Sequence, residues 1–313
     1  MNVLIIGAGA VGVGIAASLA SQDFDVSILA SEKTGDYIEN NGIRRCGIFN
    51  HISIDAGKLK VYRDYAQIND CFDYIIISAK ATANEEIAIK LSSHKKILKG
   101  QIIIFQNGWG NNDIYLKYFE KEKIYNARII TGFEREEAGI SKVTVHTAPI
   151  LFGSLYGMDN SCMEPLARAI DNSGIPSEVS DDIEKALWAK MLFNTTLNPL
   201  GAILNVTYGQ LTQTEYTRRI MDTLIDETYA VIKAAELNTF WENADEYRKV
   251  FYEKLVPDTY MHRSSTLQDI ERGYKTEIDT LNGCIVNMGR KYNVKTPTHE
   301  MIVMLIKSIE TLK

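Results

Sequence analysis

The sequence has few cysteines, few histidines and no surplus of positive charge. Its 313 residues include four cysteines and five histidines, and no two cysteines form a CxxC pair. This pattern offers no zinc-type ligand spacing, so we interpret the cysteines as reduced thiols that help to fill the core. The formal net charge of −6 disfavours nucleic-acid or anionic-membrane binding, because both require a basic surface. We therefore expect no metal, no nucleic acid and no membrane among its partners.

The N-terminus lacks the basic segment of a secretion signal. Val3–Ala20 is almost as long and apolar as a membrane span, but Met1 and Asn2 carry no charged side chain. Glycines inside this run also argue against a simple hydrophobic helix. We expect a buried strand followed by a buried helix, in a cytoplasmic protein without a targeting segment.

The first half of the chain alternates short apolar runs with helix-like segments, which is typical of a parallel sheet covered on both faces. The predicted strands are Val3–Ile6, Val26–Leu29, Tyr74–Ile77, Ile102–Phe105 and Arg128–Thr131. The predicted helices between them are Val11–Ser21, Asn84–Leu91 and Asp113–Phe119. Val143–His146 and Ile150–Phe152 alternate more strongly, and we predict them to be antiparallel strands at an edge.

The second half shows long helical periodicities instead. We predict helices at Ile183–Leu197, Glu215–Ala235, Ala244–Tyr252, Glu277–Lys291 and Thr298–Thr311. The predicted fold is therefore an α/β, Rossmann-type doubly wound sheet followed by an all-α C-terminal domain. We place the boundary at the change of class, giving domains at 1–180 and 181–313.

A glycine-rich loop follows the first predicted strand and opens the first predicted helix. The loop consists of Gly7, Ala8, Gly9, Ala10, Val11 and Gly12. In this strand–turn–helix context the GxGxxG pattern predicts a dinucleotide site, with the pyrophosphate at the helix N-terminus. The alternative is a glycine-rich turn without a ligand.

The end of the second strand bears on the choice between NADP and NAD. An NAD enzyme usually has an acidic residue at this tip, whereas here Ala30 and Ser31 occupy it and Glu32 falls just beyond. Ser31 and Lys33 offer a hydroxyl and a charge to a 2′-phosphate, which favours NADP(H). Alternatively, both are solvated loop residues.

A predicted helix in the second half carries a polar stripe. Lys190, Asn194 and Asn198 are four residues apart and share one helix face among apolar neighbours. Facing a cleft, such a lysine can protonate the oxygen of a carbonyl that accepts hydride. The alternative is a surface lysine with two solvated or capping asparagines.

Six motifs, in order along the chain, carry a resemblance to the ketopantoate reductase (2-dehydropantoate 2-reductase) family. They are the Gly7/Gly9/Gly12 loop, Ser78-Ala79-Lys80, Gln106–Gly110, Trp188–Pro199, Ser264–Asp269, and Thr276–Asp279 leading to Asn282-Gly283. The resemblance runs from Gly7 to the last helix. Ser31 departs from it, because many members have an arginine there.

The resemblance implies a role for each matching side chain. Lys190 resembles the general acid, and Glu277 the carboxylate that holds the substrate hydroxyl, helps to order the lysine and reaches the cofactor. Ser265, Asn194 and Asn198 resemble substrate-binding residues. Asn107 resembles a residue between substrate and cofactor, and Lys80 a lysine near the nicotinamide.

Simpler interpretations of these residues remain open from the sequence. Asn107-Gly108 is a common turn pair, Glu277 suits a helix N-terminus, and Ser265 suits an N-cap. Their occurrence together with the lysine helix favours an enzyme that reduces ketopantoate with NADPH, in pantothenate and coenzyme A synthesis. The substrate is expected in a cleft between the domains, and we consider a homodimer. The alternatives are a reductase of another small 2-keto acid, a 3-hydroxyacid or opine-type dehydrogenase, and a non-catalytic NADP-binding sensor.

Overall fold

A computed structural model describes residues 1–312, which divide into two compact units. The first unit contains Met1–Gln106 and Asn111–Ile183. The second contains Asn107–Gly110 and the chain from Glu184 onward. A four-residue segment from the first half of the sequence therefore belongs to the second unit. Within residues 1–312, no helix combines the length and the hydropathy that crossing a membrane requires.

The first unit contains all of the strands found in residues 1–312, together with five α-helices. The strands are β1 (Asn2–Ile6), β2 (Asp25–Leu29), β3 (Ile43–Gly47), β4 (Ile52–Ile54), β5 (Lys60–Tyr62), β6 (Phe72–Ile77), β7 (Leu98–Ile104), β8 (Ile124–Arg128), β9 (Thr131–Glu137), β10 (Ile140–His146), β11 (Ile150–Gly153) and β12 (Ser177–Val179). The helices are α1 (Ala10–Ala20), α2 (Glu32–Asn41), α3 (Asn84–Ser93), α4 (Asn111–Tyr115) and α5 (Glu164–Asn172).

Eight strands form the main sheet, in the order β12-β11-β8-β7-β6-β1-β2-β5. Its neighbouring strands are parallel except for the antiparallel pair β11 and β8. Val3 and Ile5 face one buried core, while Leu4 and Ile6 face another on the opposite side. Successive side chains point to opposite faces, so a continuous apolar strand indicates a sheet covered on both sides. The predicted doubly wound fold is confirmed.

A second sheet of four strands, in the order β4-β3-β10-β9, was not predicted. It packs on α1, where an added Cβ on Gly14 would lie 2.7 Å from the Phe133 ring. The Ser141 hydroxyl donates to the carbonyl of Ala10 at 2.7 Å. The buried Arg45 guanidinium donates to the hydroxyl and carbonyl of Ser173, and burial lowers its pKa to about 10. The small sheet is thereby attached to the helix that follows the glycine loop.

The structure corrects three strand predictions. The run 128–131 is not one strand: it divides between β8 of the main sheet and β9 of the small sheet. The strand containing 143–146 lies inside the small sheet, antiparallel to β9 but parallel to β3. The strand containing 150–152 lies one place in from the edge of the main sheet, because β12 pairs with it.

The second unit is helical, as predicted. Its α-helices are α6 (Ile183–Leu204), α7 (Glu215–Ala234), α8 (Ala244–Val250), α9 (Val256–Asp258), α10 (Ser265–Glu271), α11 (Asn282–Tyr292) and α12 (Pro297–Leu312). A π-helical turn, Phe251–Leu255, joins α8 to α9. The helix predicted over 277–291 begins only at Asn282, so Glu277 lies in the turn before α11 and not in the first turn of the helix.

Helix α6 continues through Pro199 to Leu204, although it was predicted to end at Leu197. A proline inside a helix removes the N–H that would bond the carbonyl four residues earlier, here that of Thr195. The side-chain nitrogen of Asn282 donates to this carbonyl at 2.8 Å. The lost backbone bond is therefore replaced from α11, and the helix can continue.

A buried histidine joins the same helices. The Nδ1 atom of His299 lies 3.0 Å from the Asn282 side-chain nitrogen, which is a donor, so Nδ1 accepts. The Nε2 atom lies 3.0 Å from the Leu224 carbonyl and 3.0 Å from the Thr228 hydroxyl. Burial lowers the pKa of His299 to about 4, so the imidazole is neutral near pH 7. This contact set fixes α11 and α12 against α7.

Candidate active site

The glycine loop turns tightly against the end of β6. Gly7 has φ +107°, and a Cβ added there would lie 2.4 Å from the backbone nitrogen of Ala79. A Cβ on Gly12 would lie 2.0 Å from the carbonyl oxygen of Gly7. A Cβ on Gly9, in contrast, would meet no protein atom within 4 Å. Gly7 and Gly12 are therefore required by packing, while Gly9 borders open space.

The N-terminus of α1 offers that space free backbone donors. Gly9 is the N-cap with extended backbone, and no side chain caps the helix. The N–H groups of Ala10, Val11 and Gly12 have no acceptor within the helix, and no acidic residue lies in its first turn. Ser78 holds the loop by donating from its hydroxyl to the Gly7 carbonyl at 2.8 Å. These residues fit the dinucleotide site that the sequence predicted.

Ser31 and Lys33, on which the NADP(H) prediction rests, follow the end of β2. Ala30 is buried, whereas Ser31, Glu32 and Lys33 are exposed. Ser31 is the N-cap of α2, and its hydroxyl donates to that of Thr34 at 3.3 Å instead of capping the backbone. The three exposed side chains are thus accessible to a ligand at this end of the sheet.

A buried amide network, which the sequence did not reveal, joins the ends of β6 and β7. Gln106 follows β7 and donates to the carbonyl of Ala79 and to the side-chain oxygen of Asn84, both at 2.7 Å. Asn84 also accepts from the hydroxyl of Tyr115 and donates to Asn111. Its position at the start of α3 gave no sequence signal, because a lone asparagine is equally typical of a turn. The network orders the segment that leads into the half-buried Lys80.

The segment Asn107–Gly110 is attached to the second unit. Gly108 has φ +93°, and an added Cβ there would lie 2.5 Å from the carbonyl oxygen of Thr280. The same carbonyl accepts from the backbone N–H of Trp109 at 3.1 Å. The Trp109 ring packs on that of Trp188, with centroids 4.8 Å apart. Asn107-Gly108 is thus a tight turn, and this turn orients the Asn107 side chain.

Asn107 links the two residues that were predicted to be catalytic. The Nζ of Lys190 donates to Oδ1 of Asn107 at 2.7 Å, and Nδ2 of Asn107 donates to Oε2 of Glu277 at 2.9 Å. Lys190 and Glu277 are both half-buried. The Asn107 carboxamide therefore connects the ammonium to the carboxylate through two hydrogen bonds.

The other residues of the α6 stripe follow Lys190. Asn194 is half-buried, and its side chain has no hydrogen-bond partner among residues 1–312. Asn198 is buried and donates to the exposed hydroxyl of Ser265 at 3.5 Å. Its side-chain oxygen accepts a hydrogen bond from the phenol of Tyr208. Along α6, the Asn194 amide, which has no hydrogen-bond partner among residues 1–312, thus lies between Lys190 and Asn198, whose side chains are both hydrogen-bonded.

Tyr208 is a second residue that the sequence did not single out. Its side chain is buried, and burial raises the pKa of the phenol, which therefore remains a hydrogen-bond donor. Because this donor fixes the oxygen of Asn198, the amide nitrogen must point toward Ser265. Ser265 is not the N-cap of α10, as its simpler interpretation expected: the buried Ser264 accepts from the N–H of Leu267 at 3.0 Å.

The predicted site residues of the second unit therefore form two hydrogen-bonded groups, each of which includes one residue of α6. Lys190, Asn107 and Glu277 form one hydrogen-bonded group, and Asn198, Tyr208 and Ser265 form another. Asn194 lies between them along the helix. The first group can donate a proton and stabilise a negatively charged oxygen, and the second offers donors to a carboxylate. Within residues 1–312, no group of three or more metal-ligating side chains comes together.

Family models match nearly the whole chain. The model described as "Ketopantoate reductase PanE/ApbA" matches residues 3–157, and the model for its C-terminal domain matches residues 182–310.

The chain belongs to the ketopantoate reductase family.

This family consists of oxidoreductase enzymes, so the predicted enzyme class and family resemblance are confirmed.

Curated relatives agree with this membership over nearly their full length. A 2-dehydropantoate 2-reductase of Aquifex aeolicus is 36% identical over 317 residues, which cover 99% of this chain and 97% of the relative. A protein of the same name from Archaeoglobus fulgidus is 29% identical, with coverage of 99% and 98%.

Solved structures are similar over the whole chain as well. The ternary structure of D-mandelate dehydrogenase with NADH and anilino(oxo)acetate has a TM-score of 0.86 at 26% identity, covering 100% of this chain and 99% of the other. A PanE/ApbA family ketopantoate reductase from Ralstonia eutropha has a TM-score of 0.85, with the same identity and coverage. The fold is thus shared with a dehydrogenase whose structure contains NADH and anilino(oxo)acetate.

Proposed function

We propose that this protein reduces 2-dehydropantoate to pantoate, with NADPH as the hydride donor. The observation that carries the proposal is the Lys190–Asn107–Glu277 chain of hydrogen bonds, in a member of a family whose curated relatives are named for this reaction. The reaction needs a proton donor beside the substrate carbonyl. Lys190 is the cationic residue of this chain and supplies that group.

The reduction requires two transfers to the substrate carbonyl. NADPH, when bound, supplies a hydride to the C2 carbon, and the π-electron pair of the C=O bond moves to oxygen. Lys190 Nζ gives its proton to that oxygen, and the product is a secondary alcohol. Because Asn107 accepts from Nζ at 2.7 Å, it orients the ammonium before the transfer. The neutral lysine then regains a proton from water.

Glu277 has two tasks in this scheme. Its carboxylate accepts from Asn107 at 2.9 Å and so fixes the orientation of the amide that holds Lys190. We assign the 4-hydroxyl group of 2-dehydropantoate to the same carboxylate. A carboxylate accepts several hydrogen bonds at once, so both tasks are compatible.

The substrate carboxylate is assigned to the second polar group of α6. Ser265 is exposed, and Asn194 has an amide without a protein partner among residues 1–312. Each can donate to a carboxylate oxygen. Tyr208 and Asn198 support this site by fixing the amide beside Ser265, so they position the donor without themselves being catalytic residues.

We assign the cofactor to the glycine loop and prefer NADPH over NADH. Gly9 borders open space at an uncapped helix N-terminus, which suits the pyrophosphate. Ser31 and Lys33 are exposed at the end of β2, where a 2′-phosphate would be recognised. Glu32 is also exposed there and would suit the ribose hydroxyl of NADH.

A second candidate function is the reduction of an aromatic 2-keto acid with NADH. The similarity to D-mandelate dehydrogenase with NADH favours it, since that structure matches the whole chain at a TM-score of 0.86. The two functions share the fold and the proton donor. They differ in the substrate tail and in the phosphate of the cofactor.

The test is a matrix of initial rates with purified protein. NADPH and NADH are each combined with 2-dehydropantoate, phenylglyoxylate and pyruvate, and cofactor oxidation is followed by absorbance. The proposal predicts the highest kcat/KM for 2-dehydropantoate with NADPH. A preference for phenylglyoxylate with NADH would establish the second candidate instead. Tight cofactor binding without turnover of any keto acid would indicate a sensor.

The biological setting follows from the proposed reaction. Pantoate formation would place the enzyme in pantothenate and coenzyme A biosynthesis. The cytoplasmic location and the homodimer considered from the sequence stay predictions.

A further inference from the structure

The small sheet places an arginine beside the end of β2. Arg135 lies on β9, and its Nη2 donates to the hydroxyl oxygen of Thr34 at 3.2 Å. The Ser31 hydroxyl donates to the same oxygen at 3.3 Å. The Arg135 guanidinium and the Ser31 hydroxyl therefore donate to the same atom, although Arg135 is about a hundred residues further along the chain.

The charge of Arg135 is not neutralised by the protein. Among residues 1–312, no carboxylate pairs with its guanidinium. Arg63, which lies on the other side of α2, differs: it binds the carboxylates of Asp36 and Glu39 at 2.6 and 2.7 Å. Glu137, two residues after Arg135, lies near the Tyr37 hydroxyl instead, at 3.5 Å. Arg135 thus keeps an exposed positive charge at this point of the surface.

The position of Arg135 is fixed by the fold and not by a flexible loop. In the small sheet Arg135 is paired with Ser141, whose hydroxyl donates to the carbonyl of Ala10 in α1. Phe133, on the same face of β9 as Arg135, packs on Gly14 of α1. The strand that carries the guanidinium is therefore attached to the helix that we assign to the cofactor pyrophosphate.

We propose that Arg135 recognises the 2′-phosphate of NADPH, together with Ser31 and Lys33. In dinucleotide folds the adenosine ribose lies at the end of the second strand, where Ser31 is located. A phosphate there carries close to two negative charges, and a guanidinium binds it with two parallel hydrogen bonds. This inference rests on the proposed function, because it identifies the residue that decides the cofactor preference of that function.

Calorimetric titration with NADP+ and NAD+ tests the inference without depending on turnover. In the Arg135→Ala variant the affinity for NADP+ is expected to fall about 10- to 100-fold, which corresponds to one lost charge-assisted contact. Affinity for NAD+ is expected to stay within about twofold, because its ribose has no phosphate for Arg135 to bind. Arg135→Lys keeps the charge but lacks the planar guanidinium. Its affinity for NADP+ is expected to lie between those of the wild type and Arg135→Ala.

Arg44 provides a matched control in the same sheet. Arg45, its neighbour on β3, faces α1 and Ser173, so Arg44 points to the opposite, exposed face. Arg44→Ala removes the same charge and is expected to leave both affinities unchanged. An equal loss of NADP+ affinity in the Arg44 and Arg135 variants would overturn the specific role of Arg135.

The outcomes separate this inference from the cofactor assignment on which it rests. If the wild-type protein prefers NADP+ but Arg135→Ala binds it normally, the inference is wrong and the NADPH assignment stands. If the wild-type protein binds NAD+ at least as tightly as NADP+, the NADPH assignment fails, and the role of Arg135 fails with it.

Discussion

The side-chain nitrogen of Asn282 lies 2.8 Å from the carbonyl oxygen of Thr195, which is the carbonyl that Pro199 leaves without its helical N–H donor. Asn282 and Pro199 belong to two of the motifs that carry the family resemblance. The contact explains why the two residues occur together: Pro199 removes a backbone donor from α6, and Asn282 of α11 replaces it. Lys190, Asn194 and Asn198 depend on this helix for their alignment.

Removing the Asn282 side chain should therefore destabilise the helical unit. Asn282→Ala leaves the buried Thr195 carbonyl and His299 Nδ1 without donors, and we expect a loss of about 2–3 kcal/mol in the free energy of unfolding. Adding Pro199→Ala restores an N–H to the Thr195 carbonyl and should recover about 1 kcal/mol. Urea unfolding of both single variants and the double variant measures the coupling free energy between the two substitutions. Simple additivity of the two substitutions would contradict this explanation.

Substitutions at two glycines of the cofactor loop should have different effects: one should lower ligand affinity, and the other should lower stability. Gly9→Ala meets no protein atom and should leave the free energy of unfolding within about 0.5 kcal/mol. Its Cβ would occupy the space assigned to the pyrophosphate, so NADP+ affinity should fall at least about tenfold. Gly12→Ala is the matched control, because its Cβ would clash with the Gly7 carbonyl and should lower stability even without ligand. Thermal unfolding and calorimetric titration measure the two effects, and normal NADP+ binding by Gly9→Ala would exclude the assigned pyrophosphate position.

The predicted fold was accurate where strands are apolar on both faces. Val3–Ile6 and Tyr74–Ile77 are continuous apolar runs, and both are central strands of the main sheet. The small sheet escaped prediction because β3 has the sequence Ile-Arg-Arg-Cys-Gly, whose second arginine is fully buried. A buried arginine is satisfied by tertiary partners such as Ser173, and nothing in the local sequence reveals them.

The candidate site was predictable to the extent that its residues lie on regular elements. Lys190 and Asn194 lie on one helix, and their spacing alone places them on one face. Asn107 was placed by its position after a strand, but its attachment to the second unit depends on Trp188 and Thr280, which are distant in sequence and contact Trp109. Tyr208, Asn84 and Arg135 act through tertiary contacts, so their roles needed the structure.

His299 should make the stability of the protein depend on pH. Its folded-state pKa of about 4 lies below the ordinary value of 6.5, so the unfolded chain binds a proton first as pH falls. The contribution is therefore fully present above pH 6.5 and is lost as pH falls toward 4, by a total of about 3 kcal/mol.

A non-titrating variant isolates this contribution from that of the carboxylates. The stability difference between the wild type and His299→Gln is expected to shrink by about 3 kcal/mol from pH 7 to pH 4, as measured by urea unfolding. The same substitution at the exposed His51 serves as control and should show no comparable change. A stability difference for His299→Gln that stays constant over this range would rule out a buried neutral imidazole.

The central claim is that Lys190 protonates the reduced carbonyl, and the most direct test is single-turnover oxidation of bound NADPH by 2-dehydropantoate. Lys190→Ala should lower this rate about 100- to 1000-fold, since it removes the group that stabilises and protonates the oxygen, while NADP+ affinity stays unchanged. Lys185→Ala, on the same helix but a different face, should react at the wild-type rate. A Lys190→Ala enzyme that reduces 2-dehydropantoate as fast as the wild type would contradict the account.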